Sequence, residues 1–99
     1  MNECICDKFS NPVRTLDDAH TRLRHSREIG AMLDRRWIDS VKWMAVAQCP
    51  VCGQLWAEEA APFGMNHGGG PDCYYQIETD DPAEWLRNAK PRISALQQG

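Results

Sequence analysis

The run Cys49-Pro50-Val51-Cys52-Gly53 decides how the rest of this chain can fold. Two cysteines that are separated by two residues, with a proline between them, are typical of a tight turn that directs both sulfurs to one side. Gly53 can adopt the positive φ that closes such a turn, because it has no Cβ to clash. Zn²⁺ takes four ligands, at about 2.3 Å when they are sulfurs, so this knuckle supplies half of a metal site.

The segment Cys4-Ile5-Cys6 supplies the other half. We expect Cys4, Cys6, Cys49 and Cys52 to form one closed, structural four-sulfur site that holds one Zn²⁺ per chain. Forty-two residues separate Cys6 from Cys49. Closing so long a loop restricts the unfolded chain, and stabilisation by the metal follows from that restriction. Residues 1–14 are then a metal-anchoring arm, which we expect to detach without metal.

Length and composition indicate one domain of ordinary globular character: the chain has 99 residues and a net charge of −3. No apolar run approaches the roughly 20 residues that span a bilayer, so no membrane association is expected. The first residues lack the basic and apolar regions of a signal peptide, which favours a cytoplasmic protein. In a reducing compartment clustered cysteines bind metal rather than form disulfides, and the fifth cysteine, Cys73, is expected in the core.

The residue pattern predicts an α+β fold with an N-terminal arm and helix, a three-stranded antiparallel sheet and a short C-terminal helix. The helix at 15–34 begins with Thr15 as N-cap. The sheet covers 40–79, with strands at 41–48, 54–57 and 73–78 and a glycine-containing loop at 60–72. The first two strands and the knuckle form a zinc-ribbon-like hairpin. Asp81 and Pro82 begin a helix at 81–90, and 91–99 form a loosely held tail.

The charge is uneven along the chain: residues 1–53 carry eight Lys/Arg and seven Asp/Glu, and residues 54–99 carry three and seven. This imbalance favours basic partners, although a solvated acidic surface explains it equally well. Trp56, next to Glu58 and Glu59, is a candidate for an exposed aromatic anchor. The basic side chains of the first helix are consistent with either a nucleic-acid contact or a solvated face, and the net acidity favours the latter; they are His20, Arg22, Arg24, His25 and Arg27.

An enzyme is not expected, because the sequence has no His-Glu-x-x-His motif and a four-cysteine site leaves zinc no position for water. His67 and Cys73 are weak evidence for a nucleophile pair. A nucleic-acid-binding zinc ribbon, associated with transcription, is the main alternative function. A rubredoxin-type iron site is another, but Cys4-Ile5-Cys6 departs from the paired Cys-x-x-Cys of that family.

The C-terminal half resembles the small immunity proteins of bacterial polymorphic-toxin and contact-dependent competition systems. The resemblance rests on the knuckle followed by Gln54-Leu55-Trp56, the glycine-containing loop, Tyr75-x-Ile77 and Asp-Pro-x-x-Trp-Leu at 81–86. It implies a protein that binds a cognate toxin domain with a cytosolic target and masks its active site. Together with the acidic composition it suggests a partner-binding surface of seven residues: Trp56, Glu58, Glu59, Asp72, Tyr74, Glu78 and Asp80.

Overall fold

The computed structural model of the protein describes residues 4–60 and 72–93. It has an α+β fold, as predicted, with three helices and one four-stranded antiparallel sheet in the order β1-β2-β3-β4. The elements are α1 Leu16–Leu23, α2 Ser26–Met32, β1 Asp34–Asp39, β2 Met44–Gln48, β3 Leu55–Ala60, β4 Asp72–Ile77 and α3 Pro82–Asn88. None of the described helices is both long and apolar enough to span a bilayer.

The sheet has one strand more than the three predicted, because β1 was missed. It starts with three exposed polar residues, Asp34, Arg35 and Arg36. A register shift between Arg35 and Trp37 places a bulge in the strand. An edge strand that is charged and bulged lacks the two-residue apolar period that identifies a strand in sequence. The predicted strand at 41–48 also begins later, at Met44, because 40–43 form the turn from β1.

The single helix predicted at 15–34 is two helices. Thr15 caps α1 as expected, in a capping box with Asp18, whose pKa is lowered mainly by hydrogen bonds from the backbone of Arg14 and Thr15. The chain then turns at 24–25 before α2 begins. Because of this break the two helices pack in two different apolar clusters. Ala19 of α1 lies in the larger cluster, and Ile29 of α2 lies in the cluster that contains Cys6 and Cys49. Neither glycine nor proline marks the break.

One face of the sheet carries the larger apolar cluster. Its strand residues include Met44, Val46 and Tyr75, and Leu86 of α3 and Ile93 cover them. The register pairs Val46 with Ala57 and Ala57 with Tyr75, so these side chains share a face. The buried Ile93 and the hydrogen bonds of the Arg92 and Ile93 amides to Glu59 correct the prediction of a loose tail at 91–99 for these two residues, whereas 94–99 lie outside the described residues.

The opposite face carries the cluster next to the cysteines. Trp56 and Tyr74 point to this side, where Phe9, Ile29 and Cys49 pack against them. Ala47 lies beside Trp56 in the register, and its small side chain leaves room for the indole. Gly30 is needed for the same close packing, because a Cβ there would lie 2.8 Å from the Tyr74 hydroxyl. Since both faces are covered, Met44 to Ala47 of β2 are all buried.

Side-chain hydrogen bonds from Arg22 and Gln76 attach the N-terminal part of the chain to β4. The Arg22 guanidinium donates to the backbone carbonyls of Tyr74 and Asn11. The Gln76 side chain donates to the carbonyl of Cys6 at 2.6 Å. Arg22 therefore does not belong to a solvated or nucleic-acid-binding face, as its position in the sequence suggested.

Candidate metal centre

Four cysteine sulfurs lie together at one end of the sheet. The Sγ atoms of Cys4, Cys6, Cys49 and Cys52 are all within 4.8 Å of one another, and those of Cys6 and Cys52 are 3.5 Å apart. A metal that holds four sulfurs tetrahedrally at about 2.3 Å keeps them about 3.8 Å apart. The cluster therefore has the size of a metal site, and the predicted grouping of these four cysteines is confirmed.

The knuckle adopts the geometry that its sequence predicts. Gly53 has φ +83°, and its amide donates to the Cys49 carbonyl at 2.9 Å while the Cys49 amide donates to the Gln54 carbonyl, also at 2.9 Å. The turn joins β2 to β3 directly after the pair Gln48 and Leu55. A rigid antiparallel hairpin thus fixes two of the four sulfurs.

The other two sulfurs come from a turn rather than an extended arm. The amides of Lys8 and Phe9 both donate to the Ile5 carbonyl, at 3.0 and 3.2 Å. Phe9 is buried, and its ring lies 4.8 Å from that of His25. With the Gln76 contact to Cys6, these interactions hold the Cys-x-Cys segment against the knuckle.

Backbone amides of the knuckle favour the thiolate form of Cys49. Burial opposes its ionisation, but the amides of Cys52 and Val51 and the neighbouring thiols of Cys6 and Cys52 lower its pKa to about 7. Burial raises the pKa of the Cys6 thiol well above its ordinary value. The Cys49 sulfur is therefore ready to bind metal near neutral pH, and the Cys6 thiol needs the metal's positive charge to ionise.

The indole of Trp56 provides an independent sign that the site suits a metal. Its Nε1 atom is buried and has no hydrogen-bond partner of normal geometry among the described residues. The indole N–H is nevertheless close enough to the Cys6 thiol to lower its pKa, although burial raises that pKa by more. A buried N–H next to sulfur is accounted for if that sulfur is a metal-bound thiolate, since outer-shell donors commonly support metal ligands.

The predicted partner-binding residues are mostly not at the surface. The expectation of an exposed anchor at Trp56 is wrong, because this side chain is 0% exposed. Glu58, Glu59 and Tyr74 are also buried. Glu58 pairs with Arg35, and Glu59 accepts from the Tyr75 hydroxyl. Both carboxylates are therefore engaged inside the protein.

Three predicted partner-binding residues lie near or beyond the ends of β4. Asp72 is its first residue, and its side chain is outside the described part. Glu78 and Asp80 follow the strand and are exposed, as a surface role requires. The predicted loop at 60–72 includes Ala60 and Asp72, which belong to strands, and its other residues, His67 among them, are outside the described part. Cys73 is buried, as expected.

The exposed tryptophan is Trp43, which the alternating pattern at 41–48 predicts to lie in a strand. Its exposed fraction is 67%, in the turn between β1 and β2. The turn at 40–43 is not evident from the sequence, because the residues at 41–48 alternate as they would in a strand. Its one sequence signal is Asp39-Ser40 before the apolar residues, because such side chains bond to the backbone of tight turns.

Comparison of the chain with protein-family models, with curated proteins and with solved structures gives no match.

Proposed function

We propose that the four cysteines hold one structural Zn²⁺ and that the protein acts by binding another protein, as an immunity protein neutralises a toxin domain. A metal with four protein sulfurs has no open position at which to activate water, so the proposed site supports structure rather than catalysis. Zinc fits the donor set because it accepts four thiolates in tetrahedral geometry. The site fixes the arm and the hairpin, and a separate surface meets the partner.

The observation that carries the proposed function is a ridge of exposed carboxylates after β4. The acidic ridge consists of Glu78, Asp80, Asp81 and Glu84, four acids within seven residues, and all four are exposed. Within 4–60 and 72–93 none of them pairs with a basic side chain. Asp81 also accepts from the Glu84 amide, as the N-cap of α3.

A basic cleft is the surface that complements this ridge. Domains that act on nucleic acids or nucleotides carry such clefts, and a partner with clustered carboxylates is steered to them and excludes the charged substrate. We therefore propose the acidic ridge in place of the larger surface expected from sequence. Four residues of that surface are buried and cannot contact a partner: Trp56, Glu58, Glu59 and Tyr74.

Affinity capture from the native host tests the proposal. The tagged, zinc-loaded chain should retain one stoichiometric protein that carries a toxin domain, identified by mass spectrometry and confirmed with purified components. The double variant Glu78→Lys/Asp80→Lys should weaken this complex by at least about tenfold, since it reverses two charges at a complementary interface. Its melting temperature should not change, because both side chains are exposed.

Asp34→Lys is the matched control, since it reverses an exposed carboxylate on the edge strand β1. Equal affinity of the double variant and this control would refute the role of the acidic ridge. Capture of nucleic acid or of transcription machinery in place of a toxin domain would refute the immunity function and favour the zinc-ribbon regulator.

A further inference from the structure

A groove of about 530 Å³ lies between the edge strand β1 and helix α3. Its apolar lining comes from Trp37 of β1 and from Ala83 and Leu86 of α3. Ile38 also borders it, with its side chain on the opposite face of the sheet from Trp37, because Trp37 pairs with Val46 and Ile38 pairs with Ala45. Arg36 and Arg87 also line it. We call this the β1–α3 groove. It lies away from the cysteine cluster, because α3 covers the opposite face of the sheet.

The turn between β1 and β2 adjoins the groove, because Lys42 in this turn donates to the carbonyls of Leu86 and Arg87. Large apolar side chains are exposed at the end of β1 and in this turn. Ile38, Val41 and Trp43 are 66%, 88% and 67% exposed. They are three of the five exposed large apolar residues in the described part of the chain. Single exposed apolar residues are common, but an aromatic and two β-branched side chains within six residues, beside a groove, are typical of an interaction site.

The backbone of Trp43 is strained in a way that presents its side chain. Its φ of 58° is the only positive value of a non-glycine residue in 4–60 and 72–93. A bulky residue in this region of φ is strained, and such strain concentrates at functional sites. Glycine would fit this turn position without cost. Packing does not explain the tryptophan, because most of its surface is exposed.

The charge around the groove indicates what it binds. Arg36 lies over the Trp37 ring and donates to the Gln48 side chain at 3.4 Å. Within the described residues neither Arg36 nor Arg87 pairs with a carboxylate. Asp39 is the one acid that lines the groove. It accepts from the amides of Val41 and Lys42 and pairs with the Lys42 ammonium at 3.8 Å. The groove is therefore apolar and locally basic on a protein with a net charge of −3.

We propose that the β1–α3 groove and the adjoining turn bind an acidic amphipathic segment of a partner protein. Its apolar side chains would pack on Trp37, Ala83 and Trp43, and its carboxylates would pair with Arg36 and Arg87. A protein segment fits better than nucleic acid, because an amphipathic peptide uses the aliphatic surface of Ala83 and Val41, on which bases do not stack. This site is independent of the acidic ridge: Ala83 and Arg87 face the groove, whereas Glu84 of the same helix lines a different cavity.

Two synthetic twelve-residue peptides with the same leucine and phenylalanine positions test the site, one with glutamate and one with lysine between them. Each is added to the ¹⁵N-labelled, zinc-loaded full chain. The glutamate peptide should shift the indole signal of Trp43 and the amides of Ile38 and Leu86, and the lysine peptide should not. Trp43→Gly should weaken binding by at least about tenfold. The same variant should keep or raise the melting temperature, because it also removes the strained φ.

Charge reversal provides the second arm of the test. Arg36→Glu/Arg87→Glu should weaken binding of the glutamate peptide by at least about tenfold. Arg27→Glu, an exposed arginine on α2, should change it less than about twofold. The proposal is overturned if millimolar glutamate peptide shifts none of these signals, if the lysine peptide binds equally well, or if a polyuridine oligonucleotide binds the groove more tightly than either peptide.

Discussion

Glu59 is a buried carboxylate that holds three parts of the chain together. It is 1% exposed. Its Oε1 atom accepts from the Tyr75 hydroxyl at 3.1 Å and from the Arg92 amide at 2.8 Å, and its Oε2 atom accepts from the Ile93 amide at 2.8 Å. Burial, followed by the Glu59 charge, raises the pKa of Tyr75, so the tyrosine stays a hydrogen-bond donor. The carboxylate thus fixes Ile93 over the sheet.

Replacing this carboxylate by an amide should destabilise the protein. In Glu59→Gln one oxygen acceptor becomes an NH₂ donor that faces another donor, which leaves a buried group unsatisfied at a cost of about 1–3 kcal/mol. We expect the free energy of unfolding in urea to fall by that amount. Glu78→Gln, at an exposed position, should leave it within about 0.5 kcal/mol. Equal unfolding midpoints for the two variants would show that the Glu59 contacts contribute nothing.

The C-terminal end of helix α3 is capped by the side chain of a lysine from outside the helix. The last carbonyls of a helix lack partners within it. Lys42, from the turn between β1 and β2, donates to the carbonyls of Leu86, Arg87 and Ala89 at 2.7, 2.6 and 2.8 Å. A positive charge at this end also complements the helix dipole. One side chain therefore joins the first hairpin to the helix that covers the sheet.

Lys42→Met should separate these elements while keeping most of the aliphatic stem. We expect a loss of about 2 kcal/mol in the free energy of unfolding, because charged hydrogen bonds to partly buried carbonyls contribute more than neutral ones. Hydrogen exchange should become faster at the C-terminal end of α3. Lys8→Met is the control: its ammonium makes a surface ion pair with Glu28 at 3.4 Å, so its effect should be below about 1 kcal/mol. A similar loss in both variants would contradict the capping role.

The elements that could be predicted are those specified by local sequence. The knuckle, its flanking strands and the start of α3 follow from spacing, from Gly53 and from the cap Asp81, and the structure has all of them. The strand β1 could not be predicted, because an edge strand needs little apolar surface. Trp56 was misplaced for a different reason: its burial depends on an arm more than forty residues away in sequence, which no local pattern describes.

At the scale of the whole molecule, the cysteine cluster joins the N-terminal end of the described chain to the hairpin at its centre. The arm that carries Cys4 and Cys6 covers Trp56 and contacts β4 through Gln76. The knuckle that carries Cys49 and Cys52 belongs to the central hairpin. On this face of the sheet the apolar cluster is small, and Cys6 and Cys49 are themselves part of it. We therefore expect packing of the arm and binding of a metal to be one event.

Removing the metal should abolish cooperative folding. Structural zinc binding contributes about 10–16 kcal/mol near neutral pH. The free energy of unfolding of a typical domain is only about 5–15 kcal/mol, so loss of the metal can remove all of it. We expect about one zinc per chain in protein purified under reducing conditions. A chelator or Cys49→Ser should eliminate the cooperative thermal transition, shift tryptophan emission to the red as Trp56 becomes exposed, and accelerate exchange of the Lys8 and Phe9 amides. Cys73→Ala, at a buried cysteine outside the cluster, should still bind one zinc. If protein purified under reducing conditions contains no zinc, or if chelation leaves the thermal transition unchanged, the cysteine cluster does not stabilise the fold by binding metal.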